Sequence, residues 1–297
     1  MNYISRKAIP SDLDELYNIW NVTFGDSYAE IGLCLDYFFD YELSHVIECE
    51  NKVVAMGILL PVGELVIGDK GNIPCAMIYA VATLSEYRGY GFGSIISREL
   101  INTAREIGYP AVVLCPANDK LFDFYGKSTD MIEKFYLTEY SFSAPINSNK
   151  HFELHKISAS EYMTLRENLL NNIAHIKYNL NTLEYQSNVC DVFGGGLYQI
   201  NTSLGIACAV VESESDDLIH IKELLFSNDI QSSDNHLSQL QNIASDFLLE
   251  FFAKECKIRM PVINGVKKRF AMLALPNDLQ QDTCIETAPA WYGLAFD

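Results

Sequence analysis

Arg88-Gly89-Tyr90-Gly91-Phe92-Gly93 follows directly on an apolar run over residues 77–84 and opens a helical stretch. Glycine lets a backbone N–H approach an anion with no Cβ in the way, and a helix N-terminus adds four unpaired donors and about half a positive charge. A strand-to-helix turn of this composition reads as a pyrophosphate cradle. Two common phosphate loops fail on spacing. The dinucleotide pattern G-x-G-x-x-G puts its third glycine one residue later, where this chain has Ser94. The nucleoside triphosphate pattern G-x-x-x-x-G-K-S/T finds its tail in Gly126-Lys127-Ser128, but Leu121 stands where its first glycine belongs.

Arg88, Gly91 and Gly93 do satisfy R/Q-x-x-G-x-G/A, and in this setting the pattern resembles the coenzyme A loop of the GNAT superfamily of N-acetyltransferases. The resemblance implies acetyl-CoA as cosubstrate, its phosphates held by Arg88, Gly89, Tyr90, Gly91, Phe92, Gly93 and Ser94. It further implies that the strand over residues 78–83 splays from the next strand, so that Val81, Ala82 and Thr83 offer backbone groups to the pantetheine arm. After the loop, Ile95, Ile96, Leu100, Ile101, Ala104 and Ile107 recur at helical spacing, and Gly108 suits a C-cap. A strand over residues 111–115 ends at Pro116, and Asn118 precedes Tyr125 by seven residues. That spacing also resembles the family's, which implies that Asn118 contacts the pantetheine and that Tyr125 protonates the departing thiolate. A phenol suits the task, because its ordinary pKa near 10 keeps it protonated while a thiolate of pKa near 8.5 leaves. The family's following Gly-Phe pair is replaced by Thr129 and Asp130. With Phe122, Phe124 and Tyr136 nearby, Tyr125 also reads as one more aromatic of a packed helix.

A chain of 297 residues is about twice the length such a domain needs, so two domains are expected, over residues 1–145 and 151–297. With 49% hydrophobic and 20% charged residues, the composition is that of a globular protein. Residues 1–7 lack the apolar core of a signal peptide and no apolar run approaches the roughly 18 residues of a membrane span, so a cytoplasmic location without membrane contact is expected. The net charge of −18 argues against a nucleic-acid partner. Arg88, Lys120 and Lys127 form a local basic exception near the glycine turn, while the acidity elsewhere suits either solubility or a cationic amine. Eight cysteines occur without C-x-x-C or zinc-type spacing with histidine, and read as reduced and buried. No metal is expected, and self-association into a homo-oligomer is left open.

The order of elements supports the same fold. A strand over residues 3–9 leads to a helix capped at Ser11, a second helix covers residues 28–43, and strands over 45–49 and 53–67 are joined by a tight turn at Glu50-Asn51-Lys52. A further hairpin is expected at residues 69–72. The result is an α/β (α+β) domain, with a central mixed, mostly antiparallel sheet flanked by helices. Residues 144–150 form a polar break. Beyond it, a helix over 158–170, strands over 197–200, 205–212 and 218–226, a helix over 237–255 and strands near 257–262 and 270–275 echo the first half. Residues 228–234 contain no glycine and two carboxylates where a coenzyme loop would fall, and Gly194-Gly195-Gly196 reads as a flexible turn. This layout, with Phe124-Tyr125-Gly126-Lys127, resembles the tandem acetyltransferases of the enhanced-intracellular-survival type. The second domain is then either a degenerate acetyltransferase unit or a sterol-carrier-like unit, the strand and helix order favouring the first.

Acyl transfer by direct attack in a ternary complex needs an oriented thioester, a deprotonated amine and an acid for the thiolate. The base is the missing part, because residues 72–84 hold no carboxylate where many family members place a glutamate. Asp26, at the end of the first helix, is one candidate. The other is Asp297, since residues 291–296 are too apolar for a frayed tail and the survival-type family inserts its terminal carboxylate into the active site. The expected activity is N-acetylation of a small-molecule amine or of an amino group on a larger acceptor. The alternative is a non-catalytic acyl-CoA-binding regulatory module.

Overall fold

The computed structural model describes residues 2–68, 71–144, 149–171, 173–202, 205–227, 236–262, 267–276, 279 and 290–296. The chain forms two compact units, Met1–Lys134 with Ala271–Glu286, and Phe135–Phe270 with Thr287–Asp297. In chain order the elements are β1 (Ile4–Lys7), α1 (Leu13–Phe24), α2 (Tyr28–Phe38), β2 (Ser44–Cys49), β3 (Lys52–Val66), β4 (Asn72–Thr83), α3 (Phe92–Glu106), β5 (Ala111–Leu114) and α4 (Asp119–Ser128). They continue with β6 (Ile132–Ser143), β7 (Glu153–Lys156), α5 (Ala159–Leu169), β8 (His175–Tyr178), α6 (Leu180–Val192), β9 (Gly196–Thr202), β10 (Gly205–Ser215), β11 (Leu218–Phe226), α7 (His236–Glu250), β12 (Glu255–Pro261) and β13 (Lys268–Ala274).

In the first unit the sheet runs β1-β2-β3-β4-β5-β13, antiparallel throughout except for the parallel pair β4 and β5. In the second it runs β7-β9-β10-β11-β12-β6, again antiparallel except for one parallel pair, β11 and β12. Two helices precede the second strand of each sheet, β2 in the first and β9 in the second, and one helix crosses between its parallel strands. The second unit therefore repeats the first, as the degenerate acetyltransferase-like reading expects. In both units the sixth strand comes from the other half of the chain, β13 closing the first sheet and β6 the second.

Local chemistry explains most boundaries. The turn between β2 and β3 puts Glu50 (φ 53°) and Asn51 (φ 63°) in the left-handed region, as a two-residue hairpin requires. Gly25 ends α1 with φ 89°, and Ser27 and Glu30 form a capping box on α2. The expected cap at Ser11 is displaced. Residues 10–12 form a 3₁₀ turn, and Asp12 instead accepts from the Ile9 amide and the Arg6 guanidinium. The second helix stops at Phe38 instead of Leu43, because Asp40 caps a separate turn over Tyr41–Leu43. β8 and α6 were not expected, since the apolar residues of α6 follow no single stripe and its start rests on the Asn179 side chain accepting from the Thr182 amide.

Gly194-Gly195-Gly196 is not a flexible turn. A Cβ on Gly195 would overlap the Val211 carbonyl, and one on Gly196 would stand 2.7 Å from Lys156 Cε, so these glycines permit a tight passage from α6 into β9. Residues 69–70, most of the polar break (145–148) and the segment 228–235 lie outside the described residues.

The α3 stripe of Ile96, Leu100, Ile101 and Ala104 is buried on the first sheet together with Ile47, Leu59, Ile78 and Val112. Gly57 on β3 makes that approach possible, because a Cβ there would lie 2.6 Å from Ile96 Cγ2 and 3.0 Å from Leu100 Cδ1. In the second unit α7 covers the sheet through Leu240, Ile243, Ala244 and Phe247. Seven cysteines are free thiols, and all of them except the half-buried Cys115 are buried; Cys284 lies outside the described residues.

The second unit also buries an ion pair. Arg166 on α5 donates from Nε to Glu223 Oε2 (2.8 Å) and from Nη2 to Oε1 (3.1 Å), and its Nη1 reaches the Ile176 carbonyl. Tyr162 and the Trp291 indole donate to the same carboxylate at 2.7 and 2.6 Å. Burial alone would push the Arg166 pKa down, but Glu223 raises it, so the guanidinium stays charged. Removing one partner of such a pair strands the other. Replacing Arg166 by Met is expected to cost about 3–5 kcal/mol, read as a lowered urea midpoint of the full chain.

Candidate functional site

β4 and β5 are paired only from Cys75–Ala111 to Met77–Val113, after which β4 continues alone on that side to Thr83. On its other side the register with β3 shifts between Met56–Ala82 and Ile58–Tyr79, so Ala80 and Val81 together oppose Gly57. Ala80 takes φ 50° in this bulge, a conformation that costs a residue with a Cβ. The splay expected of the strand before the glycine turn is present, with Val81, Ala82 and Thr83 on the separated stretch.

Beyond β4, Gly89 (φ 87°) and Gly91 (φ 81°) turn the chain into α3, and a Cβ at either would meet nothing within 4 Å. Left-handed backbone demands glycine here, and the open space is what an incoming anion needs. No side chain caps α3. The Ser94 and Ile95 amides bond the Gly91 carbonyl, and the Arg88 amide bonds the Ser85 carbonyl, whereas the amides of residues 89–93 have no protein acceptor among the described residues. Arg88 is exposed, its Nε donating to the Thr83 carbonyl at 3.1 Å. Tyr90 is exposed and stacks on Phe92, whose own side chain is buried against Tyr3, so Phe92 presents only its backbone to the turn. Ser94 is half-buried with its amide already used.

Asn118 is exposed and caps α4, its Oδ1 accepting from the Leu121 amide at 3.2 Å, which leaves its amide nitrogen for another partner. Tyr125 lies on the buried face of α4 with Phe122, packed edge-on to Phe124 and in one cluster with Met131 and Met272. It is thus a core aromatic as well as a candidate acid. Its hydroxyl has no hydrogen bond among the described residues, and burial pushes its pKa up to about 12. Thr129 and Asp130, which replace the family's Gly-Phe pair, have their own tasks: Thr129 Oγ1 donates to the Tyr125 carbonyl and accepts from the Met131 amide, and Asp130 pairs with Arg105.

Asp26 is half-buried beyond the αL cap of α1, and its Oδ2 accepts from the Trp20 indole at 2.7 Å. Trp20 in turn packs edge-on against Tyr79 of β4, with ring centroids 5.6 Å apart. Asp297 lies outside the described residues. The segment before it, residues 290–295, is buried in the second unit, where the Tyr178 hydroxyl donates to the Tyr292 carbonyl and accepts from the Leu294 amide. Gly57 and Trp20 escaped the sequence reading; Gly57 was an isolated glycine in a strand pattern, the signal that marks close backbone approach. Among the described residues no cluster of three or more His, Cys, Asp or Glu could hold a metal, and no helix is long and apolar enough to cross a membrane.

A splayed parallel pair, a bulged strand and an uncapped helix behind a glycine turn define an acetyltransferase domain of the GNAT class. Residues 5–128 match the family model of the acetyltransferase (GNAT) domain, so the first unit carries such a domain. Solved structures share the fold across 92% of the chain. A GCN5-related N-acetyltransferase from Anabaena variabilis matches with a TM-score of 0.67 at 17% identity over 72% of its own length. Eis1 from Mycobacterium abscessus matches at 0.59 and 8% identity over 73% of its length. A tandem GNAT protein from the clavulanic acid biosynthesis pathway matches at 0.55 and 11% identity over 98% of its length. No curated protein matches the chain.

The raised Tyr125 pKa links stability to alkaline pH. A phenol that holds its proton more tightly folded than unfolded contributes fully below about pH 10 and loses that contribution as pH rises toward about 12. Between pH 9 and 11.5 the native protein should lose about 2 kcal/mol more than Tyr125→Phe, measured by urea unfolding of both proteins.

Proposed function

We propose that the first unit binds acetyl-CoA and transfers its acetyl group to a primary amine by direct attack in a ternary complex. The carrying observation is the run of amides at residues 89–93 without a protein acceptor, at an uncapped helix start, directly after a strand that has parted from its neighbour. Five such donors with the helix dipole suit a pyrophosphate, and Arg88, Lys120 and Lys127 add positive charge to this part of an otherwise acidic chain. The backbone of residues 81–83 would take the pantetheine amides by strand-like bonding, with the Asn118 amide nitrogen nearby in sequence to Tyr125.

In the transfer the amine nitrogen forms a bond to the thioester carbonyl carbon, the carbon–sulfur bond breaks, and the thiolate takes a proton. Tyr125 is the proposed donor, since its buried phenol stays protonated at every physiological pH. The amine's own proton is proposed to leave to Asp26, to Asp297 or to water. The compartment proposed for this chemistry is the cytoplasm, in keeping with the free cysteines. The absence of a carboxylate in residues 72–84 keeps one rival, an acyl-CoA-binding module without turnover.

Gly91→Val would place a β-branched residue at φ 81°, and acetyl-CoA affinity by calorimetry should fall at least tenfold. Unchanged affinity would show that the turn is not the cradle. Tyr125→Phe should keep acetyl-CoA affinity and lower kcat by roughly 10² to 10⁴. Equal kcat values with an amine panel would remove the acid role, and no turnover by either protein would favour the binding module.

A further inference from the structure

One face of the second sheet carries a charged stripe that the proposed chemistry does not use. The registers set His220 of β11 opposite Glu212 of β10 on one side and Lys257 of β12 on the other. Ile219, Ile221 and Ile258 alternate with these residues onto the core beneath α7. Across the stripe, Lys222 Nζ lies 3.4 Å from Glu212 and 3.9 Å from Glu214, and Lys257 Nζ lies 4.0 Å from Glu214. Arg259 Nε is 3.8 Å from Glu139 of β6, which Lys268 of β13 also reaches at 3.2 Å. Gln186 of α6 donates to Glu212 Oε1 at 2.7 Å. Four cations thus face three carboxylates, and Glu212, His220 and Lys222 are buried.

His220 lies in the middle of the stripe and is 3% exposed. Its Nδ1 is 2.7 Å from Glu214 Oε1, and a carboxylate only accepts, so Nδ1 carries the proton. The neutral ring leaves Nε2 as a bare acceptor, buried and without a hydrogen-bond partner. A second proton has to go to that nitrogen. It would create a buried donor with no acceptor and add a fifth cation beside Lys222 and Arg259. Burial, then Arg259 and Lys222, hold the His220 pKa down to about 4 against the pull of Glu214.

We propose that the stripe is an acid-operated latch, in which protonation of His220 at Nε2 opens the pairing of β10, β11 and β12 and leaves the sheet of the first unit closed. An imidazole that is harder to protonate folded than unfolded contributes fully above about pH 6.5, and that contribution is lost as pH falls toward about 4. β11 also carries Glu223, the carboxylate that Arg166 and Trp291 hold, so the latch and the buried ion pair secure one strand. The latch stands whether or not the first unit transfers acetyl groups.

The test is hydrogen exchange of the full chain, read by mass spectrometry at about pH 7 and about pH 5 and corrected for the intrinsic pH dependence of exchange. Native protein is compared with His220→Gln, whose amide still donates to Glu214 but takes no second proton. Native peptides from β10 to β12 should open about twentyfold more at the lower pH. In the variant the change should be several times smaller, and peptides of β3 and β4 should respond alike in both proteins. NMR of the six histidine rings in the native chain supplies a reading that needs no variant. One ring should stay neutral, with its proton on Nδ1, to below about pH 5. Equal pH dependence in the two proteins, opening of β3 and β4 to the same extent as β11, or titration of every ring near its ordinary value would overturn the latch.

Discussion

The first unit depends on one interrupted ladder. β4 leaves β5 after Met77–Val113 and slips one residue against β3 at Ala80 and Val81. Both departures sacrifice backbone hydrogen bonds and set Ala80 at a left-handed φ, which a sheet tolerates only where packing over-determines it. Here the packing is the seat of α3, whose Ile96 and Leu100 close on Gly57 opposite the bulge. A helix held that tightly delivers its uncapped start to the end of the parted strand. The candidate anion site and the separated strand edge are therefore two results of one local irregularity.

The repeated sheet gives the second unit the same scaffold and a different interior. Its parallel pair β11 and β12 is likewise followed by a shift in register, between Val210–Glu223 and Val211–Ile221. Glu223, just past that shift, is held by Arg166, Tyr162 and Trp291. A carboxylate bound by three donors in a dry interior is poorly placed to act as a base, because its lone pairs are already engaged. Gly293, at φ 90°, lets the terminal segment pass over this group, since a Cβ there would stand 2.8 Å from Arg166 Nη2.

Strand provenance also matters. Each sheet closes on a strand from the other half of the sequence, β13 pairing with β5 and β6 with β12. β13 also brings Met272 into the cluster around Tyr125. Cutting the chain near residue 145 would leave β5 as an open edge and remove part of the packing around the candidate acid, so the folding unit is not a contiguous stretch of sequence.

Periodicity and turn chemistry carried the glycine turn, the α3 stripe, the β2–β3 hairpin and the echo of one half in the other, because each of these is a relation among residues near in sequence. Left-handed φ at Gly89 and Gly91 follows from local sterics alone, and so does the capping box of α2. The exchange of β6 and β13, the seat that Gly57 makes for α3, and the burial that keeps Tyr125 protonated were settled only by tertiary contacts. Asp26 was visible as a lone carboxylate after a helix, but its orientation comes from an indole six residues back and an aromatic ring on a distant strand. α6 and β8 were missed for the same reason: their stability comes from what packs on them, and no period within their own sequences records that partner.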